Sequence, residues 1–116
     1  MSKKIFVAGP FNHPDQKVMD YRTKTIAEYC VKIFNEGNFP VSALLSGLSF
    51  ANYGNLPTDT ETWRNFSIKY VEGCDELHIL KLEGWEESSG LKTEIATAER
   101  LGILTKYFDI YETTKS

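Results

Sequence analysis

The stretch Glu83-Gly84-Trp85-Glu86-Glu87-Ser88-Ser89-Gly90-Leu91-Lys92-Thr93-Glu94 joins an apolar run to an amphipathic one. Ser88, Ser89 and Gly90 therefore fall at the start of a helix, where uncovered N–H groups and the positive end of the dipole stabilise a phosphate or a carboxylate. Such a run also serves as an ordinary N-cap. Glu94 adds to the functional side. At about 100° per residue its side chain shares a stripe with Leu91, Ile95, Ala98 and Leu101, while Lys92, Glu99 and Arg100 point outward. A carboxylate on an inward stripe is costly unless it is paired or lies beside a wet cleft. Glu94 is thus a candidate for chemistry at the mouth of this helix.

Arg22 raises a parallel question. It lies on the line of Ile26, Tyr29 and Ile33, so it either holds a phosphate, a carboxylate or Glu94 itself, or snorkels out of an apolar stripe. His13 reads as a solvated loop residue and His78 as a satisfied residue inside a strand. Trp63 and Trp85 read as core, with Trp85 flanking the candidate pocket and able to stack on a planar base.

The elements that must position these groups follow from periodicity. Lys4 to Gly9 is a nearly unbroken apolar run ending at Gly9-Pro10, a strand buried on both faces. Asp15 caps a helix whose apolar positions Met19, Ile26, Tyr29, Cys30, Ile33 and Phe34 continue to Gly37. Phe39 to Leu45 predicts a second strand with its proline at the start. Ser46 to Pro57 predicts a loop whose Leu48, Phe50, Tyr53 and Leu56 pack on the body of the protein. Thr58-Asp59-Thr60-Glu61 predicts a capping box for a helix to Gly73. Glu76 to Leu82 is a third strand, Ser88 or Ser89 to Gly102 a third helix, and Ile103 to Ile110 a last strand suited to an edge. This β-α-β-α-β-α-β order predicts an open α/β domain over residues 1–116, a parallel sheet of four to five strands with helices on both faces. Ligands bind such sheets at the carboxyl ends of the strands, here Gly9–Asp15, Ser46–Pro57 and Glu83–Gly90.

Composition narrows the partners. The 116 residues carry Lys+Arg 13 and Asp+Glu 16, a formal charge of −3, with 41% apolar and 13% aromatic residues. An acidic pI of 5.4 without a basic stripe argues against polymeric DNA or RNA and for a small ligand or a protein partner. No run is long enough to cross a bilayer, and Met1-Ser2-Lys3-Lys4 leads directly into a strand, so no membrane partner and a cytoplasmic location are expected. Cys30 and Cys74 have no CxxC spacing and read as buried thiols. With no metal-ligand set and no dinucleotide fingerprint, neither a metal nor a cofactor is expected.

Together, Lys4-Ile5-Phe6-Val7-Ala8-Gly9-Pro10, Arg22, Gly37, Leu56-Pro57-Thr58-Asp59 with Trp63, Cys74-Asp75-Glu76-Leu77, and Gly84-Trp85-Glu86-Glu87-Ser88-Ser89-Gly90 with Glu94-Ile95-Ala96 resemble the nucleoside 2-deoxyribosyltransferase-like superfamily. The likeness is to a small bacterial and phage branch of it. It implies a flavodoxin-like sheet and cleavage or transfer of the N-glycosidic bond of a 2′-deoxynucleoside or its 5′-monophosphate. It implies Glu94 as the nucleophile, Ser88 and Gly90 at a 5′-phosphate, and Gly9-Pro10-Phe11-Asn12 as the loop over the sugar or base. Relatives carry an aspartate four residues after the tryptophan, where this chain has Ser67, a hydroxyl without the charge of a carboxylate. Asp59, Glu61 or Asp75 are candidate substitutes, although Asp75 precedes its strand and is expected at the other end of the sheet. The resemblance further implies a homo-oligomer whose sites are completed by a neighbouring C-terminus, which here ends at Thr113-Thr114-Lys115-Ser116. The alternative reading, motivated by Ser67, is a non-catalytic protein that binds a nucleotide or ribose-phosphate.

Overall fold

The computed structural model describes residues 2–110, so Met1 and the C-terminal residues 111–116, including the segment offered above as a completing tail, lie outside the described residues. Four strands form one sheet in the order β2-β1-β3-β4, with β1 at Lys4–Ala8, β2 at Phe39–Val41, β3 at Glu76–Lys81 and β4 at Leu104–Asp109. Every neighbouring pair is parallel. The chain runs outward from β1 to β2, then returns across it to β3 and β4. That is the flavodoxin-like arrangement, and it places a topological switch point between β1 and β3.

Alternation along β1 and β3 explains why both faces are covered. Phe6, Ala8, Leu77 and Ile79 project into one core, against Val71, Leu91 and Ala98. Ile5, Val7 and Leu80 project into the other, against Ile26 and Ile33 of helix α1, Gln16–Asn35. Period-two side chains buried on both faces give the continuous apolar run seen in β1. The first core is closed by α3, Thr60–Val71, and α4, Ser89–Leu101. β4 is an edge strand, as its polar interruptions suggested, and Leu104 and Tyr107 remain exposed on it.

His78, on the α1 side, is a satisfied core histidine. Its Nε2 lies 2.7 Å from Glu76 Oε1 and its Nδ1 2.9 Å from the Tyr29 hydroxyl. Lys3 Nζ reaches Glu76 at 2.7 Å, and these bonds hold the Glu76 carboxyl well below the usual carboxylate range. Both cysteines are free thiols, Cys74 buried and Cys30 half-buried, and burial pushes Cys30 up to about 11.

Four details differ from the sequence expectations. β2 ends at Val41, and Ala43-Leu44-Leu45 opens a helix, α2, over Ala43–Ala51. Ser42 decides this, because its Oγ accepts the Leu45 N–H at 3.1 Å and turns the chain out of the extended state. Much of the expected Ser46–Pro57 loop is therefore helical, and Phe50, Tyr53 and Leu56 are exposed rather than packed. The N-cap of α3 is Asp59, not Thr58. Its carboxylate takes both the Thr62 N–H at 2.9 Å and the Thr62 hydroxyl at 2.8 Å, a stronger cap than a threonine hydroxyl supplies. Finally, Phe34 and Leu101 were assigned to inward stripes, and both are exposed.

Candidate functional site

A cavity of about 790 Å³ opens at the carboxyl ends of β1 and β3, at the switch point. Its size suits a nucleotide-sized ligand. Three walls build it.

The first wall is the start of α4. A short 3₁₀ turn, Trp85–Glu87, precedes it, entered through Gly84 with φ +87°. Ser88 Oγ caps the helix by accepting the Leu91 N–H at 3.3 Å. Among the described residues no hydrogen bond occupies the Ser89 or Gly90 N–H, and both residues line the cavity. A Cβ added at Gly90 would meet only Ser88 Oγ, at 3.9 Å. Glu94 follows one turn further in, only 9% exposed and lining the cavity. Among the described residues no cation pairs with it. Burial pushes its carboxyl up to about 8, against the opposing pull of the Ser67 hydroxyl. Burial therefore favours the neutral acid over the carboxylate in the resting protein.

The second wall is the loop after β1, where Gly9, Pro10, Phe11, Asn12 and His13 all line the cavity. Gly9 sits tightly, since a Cβ there would lie 3.2 Å from Ile26 Cδ1. Arg22 fixes this loop. The residue is only 7% exposed, and its guanidinium donates to the carbonyls of Phe11 at 3.3 Å, Asn12 at 3.1 Å and Glu83 at 2.8 Å. It therefore stitches the first loop to the one after β3, and it forms no ion pair with Glu94. The guanidinium thus has a positioning role, and Arg22 also borders the cavity. The left-handed backbone at Gly84 favours glycine, and a Cβ there would also crowd Arg22 Nη2 at 3.2 Å.

The third wall, from α2 and α3, was not foreseen as a wall. Leu44, Gly47, Leu48, Trp63 and Phe66 make it apolar, and Ser67 and Arg64 add polar groups. Trp63 anchors its indole by donating Nε1–H to the Pro57 carbonyl at 2.7 Å. It lies so close to α2 that a Cβ at Gly47 would be 2.8 Å from its ring. The spacing of Trp63, Phe66, Ser67 and Tyr70 on one helical face was the signal available for this wall; without α2 there was nothing for it to face.

Of the sequence candidates, the fold brings Gly9, Pro10, Phe11, Asn12, Arg22, Ser67, Ser88, Ser89, Gly90 and Glu94 to one cavity. Trp85 lies outside that lining. Its ring packs on Tyr107 at 5.7 Å, with Lys81 above it at 6.0 Å, so it closes the core beneath the 3₁₀ turn, in line with its reading as core. The acids considered as substitutes at position 67 are elsewhere. Asp59 caps α3, Asp75 accepts the Lys4 N–H at 2.7 Å at the amino end of the sheet, and Glu61 is exposed and outside the lining. Among the described residues no cluster of three or more His, Cys, Asp or Glu could hold a metal ion, and no helix is long and apolar enough to cross a membrane.

None of the curated proteins matches the chain in sequence. Residues 3–109 match the family model described as a domain of unknown function, DUF1937. That span includes every wall of the cavity, and the chain belongs to the DUF1937 family.

Proposed function

We propose that the protein cleaves or transfers the N-glycosidic bond of a 2′-deoxynucleoside or its 5′-monophosphate, with Glu94 as the nucleophile. The observation that carries this reading is a buried carboxyl with no cationic partner among the described residues, exposed to a ligand-sized cavity one turn below free helix N–H groups. A structural glutamate would be paired; one left unpaired in a cleft suits a group whose partner is the substrate.

In this reading the Ser89 and Gly90 N–H groups and the Ser88 hydroxyl hold a phosphate or sugar oxygen. The Gly9–Asn12 loop closes over the sugar, and the apolar wall of Trp63 and Phe66 receives the base. The Glu94 carboxylate attacks C1′ through an oxocarbenium-like transition state, and the glycosyl ester is resolved by water or by a second base. Ionising Glu94 is then a step that ligand binding must promote. The resemblance noted above supports the same assignment. It also suggests a homo-oligomer, which sedimentation tests, and free Cys30 and Cys74 thiols fit a cytoplasmic setting.

The test is base release or exchange across a panel of deoxynucleosides and their monophosphates, with and without free acceptor bases. Activity that disappears in Glu94→Gln is expected. Silence across the panel, or activity indifferent to that change, removes the proposal. Ser67 favours a second reading, a binder without turnover, because a hydroxyl cannot relay protons as a carboxylate does. Stoichiometric heat of binding with no product would select it.

A further inference from the structure

Breaking a C1′–N bond to a neutral base expels an anion unless a proton reaches the base, and among the described residues no carboxylic acid other than Glu94 is buried in the cavity to deliver one. Its ionisable lining among the described residues is His13, Arg22, Arg64, Glu87 and Glu94. Glu94 is engaged at C1′ in the proposed reaction. Arginines do not give up protons near neutrality. Glu87 and His13 are exposed, and the Asp15 N–H held on His13 Nδ1 at 2.9 Å ties that imidazole to its own loop, outside the buried floor where Glu94 lies. Ser67, which faces Glu94 from α3, offers only a hydroxyl.

Resting on the glycosidic reading above, we infer that the substrate is an N-glycoside whose base carries a fixed positive charge, a pyridinium or N7-alkylated purine nucleotide. Such a leaving group needs no proton. The Glu94 oxygen bonds to C1′ as the C1′–N bond breaks, and the bonding pair returns to the ring nitrogen, discharging the cation to a neutral base. Water then bonds to C1′, the ester bond to Glu94 breaks, and the water proton ends on the carboxyl, which is the resting state of a group buried this deeply. The net products are the sugar, the neutral base and one proton released when Glu94 next ionises.

Two further features fit. The buried carboxyl lacks a counter-charge among the described residues, and a cationic ring beside it supplies one, favouring the carboxylate when substrate is present. The rings of Trp63 and Phe66 line the same cavity, and aromatic rings attract a planar cation.

The experiment compares 2′-deoxyribonucleoside 5′-monophosphates of nicotinamide, 7-methylguanine, guanine and thymine. Base release is measured for each and divided by its own uncatalysed rate, because cationic glycosides are intrinsically labile. The rate enhancement is expected to be at least about 100-fold greater for the two cationic bases, the lower end of what a missing general acid costs. Equal or greater enhancement for guanine or thymine, still dependent on Glu94, overturns this inference and leaves the glycosidic reading standing. Cleavage of none, or cleavage surviving Glu94→Gln, defeats the glycosidic reading itself. Ser67→Asp is expected to raise the neutral-base rates at least about 10-fold. Should that variant fail to fold, the pH profile of the wild-type protein on the nicotinamide substrate decides: a single rising limb is expected, and a bell whose falling alkaline limb reports a required general acid overturns the inference.

Discussion

Replacing Glu94 by Gln keeps the shape of the side chain and removes its charge, so the change reads out how dry the cavity floor is. The ordinary carboxyl pKa is 4.5, and burial raises Glu94 to about 8. Between those values the folded protein keeps a proton that the unfolded chain has lost, so wild-type stability falls as pH rises from about 4.5 to about 8. The groups sharing the cavity, Ser67, His13, Arg22, Arg64 and Glu87, are common to both proteins. At pH 7 linkage gives a cost of about 3 kcal/mol relative to a residue that does not ionise. Glu94→Gln is expected to recover most of it, raising the melting temperature by roughly 10 °C at pH 7 and by little at pH 4.5. Urea titrations of both proteins from pH 4.5 to 8.5, with slopes checked for constancy, measure the difference. Parallel stability curves across that range would show that Glu94 is well solvated, and the argument from its burial would fail.

The other expectations concern the walls. Gly90→Ala should leave stability unchanged or raise it by up to about 1 kcal/mol, because alanine is the better helix former and no protein atom stands closer than 3.9 Å to the new Cβ; if the site is used as proposed, calorimetry with a nucleoside monophosphate should still show weaker binding. Arg22→Ala strands the three carbonyls of Phe11, Asn12 and Glu83 and should cost about 2–4 kcal/mol, with hydrogen exchange accelerating first in the two loops it joins; unchanged exchange there would contradict the stitching role. Gly47→Ala pushes a methyl to within 2.8 Å of Trp63 and should cost about 1–3 kcal/mol while shifting the tryptophan emission; a silent substitution would mean that the wall gives way.

Much of the architecture was legible because its signals were redundant. In β1, apolar residues on both faces and a terminating Gly9-Pro10 all point to one strand, and β1 is buried from Ile5 to Ala8. At α4 the Ser88 cap, the buried positions of Leu91 and Ala98 and the left-handed Gly102 agree with each other. The inward direction of Glu94 followed from that helix, since its register is fixed by neighbours on both sides. The misread places had a single signal or two that conflicted. Val41 to Leu45 is a short apolar run, equally suited to strand or helix, and one hydroxyl hydrogen bond from Ser42 settles it. Losing α2 hid the apolar wall, because Trp63 and Gly47 explain each other only once both helices exist. Trp63, which reads as core from sequence, borders the cavity, while Trp85 packs on the core as its type suggests and lies outside the cavity lining. For Arg22 the sequence leaves ligand holding and snorkelling both open, and backbone carbonyls, which no sequence pattern displays, hold its guanidinium.

The central claim is that Glu94 bonds to an anomeric carbon, and the most direct measurement is the intact mass of the protein after exposure to 2-fluoro-substituted deoxynucleotide analogues, which slow the second step, followed by peptide mapping. The account expects a glycosyl adduct on the peptide containing Glu94 and none in Glu94→Gln. Base release with the adduct on another residue, or persisting in that variant, would contradict it.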